Sequence, residues 1–262
     1  MIPVGDSPRT WRTAWVNLAL IAINILVFAY ELSLGNGVDP FVNRWAMVPA
    51  RVAAFFAGAP VGGPSPVLTL VTATFLHAGW LHVGGNMLFL WIFGDNVEDR
   101  LGHSVYLLFY LVCGLIANLA QVIVDPTSTL PALGASGAIA GVLGAYAITF
   151  PGARVSVLFP LLFFFWIIDV PALLMIGVWF VTQFFNGVAA LAVTGIGGGG
   201  VAWWAHVGGF VAGIVLMLAL PKQTWETPDE TSFSPVERAR NDTGLVGLVI
   251  GIVSLLSQLV QL

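Results

Sequence analysis

His77, His82 and Asn86 open one apolar run of the sequence, Ser136 opens a second, and His206 sits a few residues inside a third. An uncompensated polar side chain in such a run is costly, so each is a candidate for chemistry. A serine hydroxyl beside an imidazole can pass its proton to the ring while its oxygen attacks a carbonyl carbon. Asn86 and His82, with the backbone N–H of Ser136 at a helix start, can stabilise the oxyanion that results. The chemistry in view is acyl transfer, with Ser136 as nucleophile and His206 as base. Each residue alone also has a plainer reading: Ser136 as interhelical packing in a glycine-rich helix, His206 as a satisfied interface histidine. Three histidines on one side also raise the question of a metal. The chain has no H-E-x-x-H and no acid at that depth, so neither a metal nor another cofactor is expected. No carboxylate in the group can orient His206, so the sequence permits a Ser–His dyad and no triad.

Composition says what must hold these residues. Of 262 residues 58% are hydrophobic, and only nine Lys/Arg and thirteen Asp/Glu carry charge. A soluble chain of this length would carry about 65 charged residues. So few charges cannot cover a water-facing surface, and most of the exterior must face lipid. A soluble enzyme, a disordered chain and a disulfide scaffold are excluded, and the lone Cys113 reads as a small core hydrophobe. A net charge of −4 without a basic cluster argues against nucleic-acid partners.

A helix crossing a ~30 Å hydrocarbon core needs about 20 apolar residues. Candidate spans are Trp15–Leu34, Trp80–Asn96, Val105–Val124, Ala135–Phe150, Val170–Ala192, Val201–Leu220 and Leu245–Leu262. The expected fold is an all-α polytopic membrane protein. A cytoplasmic segment (1–14) precedes a six-helix catalytic bundle (15–220), followed by a polar linker (221–243) and a seventh transmembrane helix (244–262). Arg9 and Arg12 precede a run too long for a signal peptide and without a cleavage site, so it reads as a retained first helix. The connections are short except Gly35–Pro66, a Pro/Gly-rich loop. Val155–Ile168, apolar but short and broken by Pro160, should lie along the inner interface, with Asp169 capping the fifth span. Asn17 and Asn24 share a face of the first span and should bond to neighbouring helices.

Lys and Arg stay on the cytoplasmic side. With the N-terminus inside, Arg9, Arg12, Arg100, Arg154, Lys222, Arg238 and Arg240 all fall inside, and only Arg44 and Arg51 outside. The second, fourth and sixth spans then run from outside to inside, so the five polar residues share one depth in the outer leaflet. A fourth helix from Ser136 to Pro151 is about 22 Å long, roughly 8 Å short of the core, which sinks Ser136 below the outer boundary. His206, six residues into its own span, lies about 9 Å down. The preceding Pro131–Gly134 loop must dip into the membrane, where protein or water has to satisfy its backbone. Small residues bring the two helices together: Gly137, Gly141 and Gly144 on one, and Ala202, Ala205, Gly209 and Gly213 on the other.

Three motifs in this order resemble the rhomboid family of intramembrane serine proteases. They are H-A-G-W-L-H-V-G-G-N (His77–Asn86), G-A-S-G-A-I-A-G (Gly134–Gly141) and A-H-V-G-G-F-V-A-G (Ala205–Gly213). The resemblance implies a six-helix core with a Ser136–His206 dyad open to the outside, hydrolysing peptide bonds in or near transmembrane helices of membrane-protein substrates. It assigns His82, Asn86 and Gly134 to the oxyanion site and His77 to its support. It also implies a lateral gate around Trp179 and Gln183 and a cap at Gly195–Gly200. The family commonly places an aromatic one turn after the nucleophile, where it stacks on the histidine. Here Ala140 stands there, so support for the ring must come from elsewhere, Trp203 and Trp204 being near in sequence.

Two other classes compete. A catalytically silent rhomboid-like binder of membrane clients would typically have lost the dyad. A transporter would cluster its polar groups near the midplane on repeated, broken helices. The expected partners are the bilayer and transmembrane substrates, with the oligomeric state open. A prokaryotic plasma membrane is the expected location.

Overall fold

The computed structural model describes residues 2–8, 10–161, 164–192 and 201–223. Among them are helices α1 (Trp15–Ser33), α2 (Val38–Trp45), α3 (Pro49–Phe56), α4 (Pro66–Thr72), α5 (Trp80–Leu101), α6 (His103–Val124), α7 (Ser136–Thr149), α8 (Ala172–Ala192) and α9 (Trp203–Ala219). Strands β1 (Ile2–Asp6), β2 (Arg154–Leu161) and β3 (Phe164–Pro171) form one antiparallel sheet in that order. The seventh span, most of the linker and the Gly195–Gly200 cap lie outside the described residues.

Helices α1, α6 and α8 are each long and apolar enough to cross a membrane, and α4 with α5 passes the same test as a pair bent by 82°. The chain is a polytopic, predominantly α-helical membrane protein. Helices α7 and α9, with 14 and 17 residues, are shorter and apolar, as the fourth span's expected length required. They make the most extensive helix contact in the molecule, with α6 packed against both. The cause is the run of small residues. A Cβ at Gly209 would fall 2.0 Å from the Gly137 carbonyl oxygen, and one at Gly213 1.9 Å from that of Gly141. Cys113 is fully buried and fills the space beside Gly141, as expected of a core hydrophobe.

Polar residues tie together the start of α1, the end of α5 and the start of α6. Glu98 at the foot of α5 accepts the backbone N–H groups of Val16 (3.0 Å) and Asn17 (2.6 Å), capping α1, which has no cap of its own, and also meets His103 of α6. Gly102, at φ +79°, makes the sharp turn between α5 and α6. Asn17 donates to the Leu90 carbonyl (2.9 Å) and accepts from the Tyr106 hydroxyl (2.8 Å), the interhelical role its position suggested. Asn24 donates to Leu20 on its own helix (2.7 Å), and its side chain also meets the Tyr110 hydroxyl of α6.

Three further expectations need correction. The Gly35–Pro66 segment is not a plain loop but carries α2 and α3, whose prolines sit near helix starts where their missing N–H costs nothing. Val155–Ile168 avoids crossing by pairing as the β2–β3 hairpin, with Val155 and Val157 buried on one face and Pro160 beyond the last β1 partner, Leu158. Asp169 is therefore on β3, not at a helix cap: its carboxylate accepts from Ser156 (2.7 Å), and α8 starts later.

The sheet joins the N-terminal strand to the helices through Asp6, whose carboxylate accepts from the Tyr146 hydroxyl (2.6 Å) and the Asn96 amide (2.9 Å). Burial pushes its pKa up to about 7, although the hydrogen bond from Tyr146 opposes the shift. A carboxyl that holds its proton more tightly when folded adds stability that is complete below about pH 4 and lost as pH rises through about 7. The protein in detergent should therefore be less stable at pH 8 than at pH 5, by about 2 kcal/mol after allowance for partial exposure. Asp6→Asn should lessen that difference; thermal unfolding at the two pH values checks it.

Candidate active site

Ser136 is the first residue of α7, and the loop before it is held by protein rather than left to the bilayer. Met47 and Ala132 exchange backbone hydrogen bonds (3.1 and 2.7 Å), and the Gly134 N–H donates to the Ala73 carbonyl (2.8 Å). The region between α1 and α5 thus carries the backbone satisfaction that irregular structure at this depth needs. His206 lies in the first turn of α9, which begins at Trp203 rather than Val201, so it is nearer the helix start than expected. Ser136 and His206 are each at a helix start, and the glycine-mediated contact of the two helices brings them together. Ser136 Oγ lies 2.7 Å from His206 Nε2.

The other ring nitrogen has a partner. His206 Nδ1 is 2.7 Å from Oε1 of Gln183 on α8, a residue only 8% exposed. Trp179, one turn earlier on α8, lies tilted over the imidazole at 5.8 Å between centroids, and Trp203 meets it edge-on at 6.2 Å. The aromatic contact absent at Ala140 is therefore supplied by α8 and by Trp203. Trp204 instead packs on Phe184.

His82 and Asn86 stand one turn apart on α5, facing Gly134. The Ala78 N–H donates to His82 Nδ1 (3.3 Å), so Nε2 carries the proton. That nitrogen would lie 2.6 Å from a Cβ at Gly134, with Asn86 Nδ2 3.6 Å from the same point. Asn86 Nδ2 is buried and has no hydrogen-bond partner among the described residues. Two donors thus converge beside the loop that leads into Ser136, where an oxyanion would satisfy the orphaned amide. Gly134 has φ +123°, a conformation that disfavours a side chain, and one would also fill the space in front of His82. His77 does not reach the dyad. It packs edge-on against His82 (5.1 Å), and its backbone N–H donates to the buried Glu31 carboxylate (3.2 Å), so its part is to hold the approach to α5. Were this site to perform acyl transfer, Asn86→Ala should lower turnover by about 10²-fold with little change in KM, the cost of losing one oxyanion donor.

Sequence reasoning placed Gln183 near a gate and did not connect it with His206. The available signal was an amide in the apolar Ala172–Ala192 stretch, whose only amide side chains are Gln183 and Asn186, and of these Gln183 is four residues after Trp179 and so on its face. Glu31, buried in α1, was also missed.

Comparison with known proteins gives the same family as the motifs. The Rhomboid domain model matches residues 64–223. The chain is 46% identical over 71 residues to Rhomboid-like protein 11, chloroplastic, of Arabidopsis thaliana, covering 27% of this chain and 25% of the relative. It is 32% identical over 153 residues to Rhomboid protein 1, mitochondrial, of Saccharomyces cerevisiae, covering 56% and 40%. With Rhomboid protease GluP of Bacillus subtilis it shares 42% identity over 76 residues, 29% of this chain and 14% of the relative. The matched regions thus span less than half of each of these relatives. Two of the three are named for organelles, which does not support the expected prokaryotic plasma membrane and leaves an integral multi-pass protein as the statement that carries over. With its matched domain covering more than half of the chain, and its helices and polar residues as described, the protein belongs to the rhomboid family.

Proposed function

We propose that the chain is an intramembrane serine endopeptidase that cuts peptide bonds in or near transmembrane helices of membrane proteins. The observation that carries this reading is the 2.7 Å approach of Ser136 Oγ to His206 Nε2, beside the unpartnered amide of Asn86. Ser136 Oγ attacks the scissile carbonyl carbon as its proton passes to His206 Nε2. The oxyanion is held by Asn86 Nδ2, His82 Nε2 and the Ser136 N–H, which as the first of α7 has no intrahelical acceptor. Collapse breaks the C–N bond, the departing amine takes the proton from His206, and water repeats the sequence on the acyl-enzyme. Substrates should carry helix-weakening Gly, Pro or polar residues near the cut, because a helical carbonyl is otherwise engaged. The distribution of positive residues supports a site on the non-cytoplasmic side.

The test is incubation of the reconstituted full chain with a single-span reporter, followed by mass spectrometry of the products. Cleavage within or beside the reporter's membrane segment, without ATP, is the expected result; an intact reporter set with helix-weakened spans would contradict it. A silent client binder is not favoured, since Ser136, His206, His82 and Asn86 are all in place.

A further inference from the structure

We infer that Gln183 is a positioning residue for the general base: its amide oxygen fixes the histidine tautomer that catalysis needs. The inference rests on the protease reading and deepens it. A base must present an unprotonated Nε2 to Ser136, which requires the neutral ring's proton to be on Nδ1. Gln183 Oε1, 2.7 Å from Nδ1, accepts that proton and no other. A glutamine could turn its NH₂ to the ring and favour the opposite, inactive tautomer, so the amide orientation itself has to be set. Thr182 sets it. The Thr182 hydroxyl donates to the Trp179 carbonyl (2.6 Å), leaving only lone pairs toward the Gln183 amide. Gln183 Nε2 lies 3.5 Å from that hydroxyl, a long contact but one that only the NH₂ end can make. The chain of donors therefore runs from His206 Nδ1 to Gln183 Oε1, and from Gln183 Nε2 through Thr182 to the α8 backbone.

Trp179 and Gln183 both come from α8, so one helix supplies the ring's stacking partner and its tautomer lock. Much of the rest of α8 faces outward, with Leu174, Val178, Val181 and Phe185 half or more exposed. The base is thus in register only while α8 is seated against α9.

The experiment compares full-length wild type with Gln183→Leu, Gln183→Ala, Gln183→Glu and Ser136→Ala in liposomes. It measures kcat and KM on one cleavable single-span reporter and the ¹⁵N spectrum of histidine-labelled protein. The four histidines are few enough to assign by substitution. Wild type should show His206 protonated on Nδ1 and bare on Nε2. Gln183→Leu and Gln183→Ala should lose 10- to 100-fold in kcat, leave KM within about twofold, and shift His206 toward the Nε2-protonated form. Gln183→Glu, which keeps an acceptor oxygen, should recover most of the kcat and the Nδ1-protonated signal. Unchanged or raised kcat in the Leu and Ala variants overturns the inference, as does a tautomer signal that does not respond to them. Cleavage that persists in Ser136→Ala would instead overturn the protease reading, so the two failures are distinguishable.

Discussion

Ser136→Ala and His206→Ala should each reduce cleavage of a single-span reporter by about 10⁴-fold or more, and the double variant should be no worse than either alone. The two side chains act as one unit across a single 2.7 Å contact. Without the imidazole, Ser136 has no group to take its proton; without the hydroxyl, the imidazole has nothing to activate. Losses that multiplied in the double variant would mean that the residues act independently. What remains should come from the oxyanion site and binding alone. Rates from product quantification by mass spectrometry, on protein confirmed as folded, check the result.

Gly209→Ala should also be damaging, by about 10²-fold in kcat, although it touches neither reacting atom. Its Cβ would lie 2.0 Å from the Gly137 carbonyl oxygen, and that oxygen is backbone in a packed helix, so relief requires α7 and α9 to part. An ordinary C···O contact is about 3.3 Å, so the separation is on the order of 1 Å. Ser136 adjoins Gly137 and His206 is one turn from Gly209, so the displacement falls on the dyad itself. Misplacement of about 1 Å can cost 10²-fold by itself, and overpacking adds a loss of roughly 1–3 kcal/mol in stability. Gly84→Ala is the control: a Cβ there meets nothing within 4 Å, and activity should be unchanged. Equal activities of the two variants would show that close helix approach does not set the dyad geometry.

These effects explain what could be read in advance. Spans are legible because a membrane forces about 20 apolar residues into each, and the small residues of α7 and α9 mark their own contact. Ser136 and His206 are legible because each is a polar residue at the start of an apolar helix. Gln183 is not, because its bond to His206 depends on how α8 is rotated against α9, and nothing local in the sequence sets that rotation. The sheet is hidden for another reason. Ile2 pairs with Leu158, and a five-residue strand cannot be recognised apart from its distant partner. Asp169 illustrates the consequence: beside a helix it reads as a cap, and only the β2–β3 register turns it toward Ser156. Asn17 and Asn24 share a helix face, and both face neighbouring helices: Asn17 bonds to Leu90 and Tyr106, and Asn24, besides donating to Leu20, lies against Tyr110.

The most direct test of the account is covalent labelling of the reconstituted protein with a fluorophosphonate, with the modified residue located by mass spectrometry. The account predicts a single adduct on Ser136 that is lost in His206→Ala. An adduct on another residue, or labelling of Ser136 at an undiminished rate without His206, would contradict it.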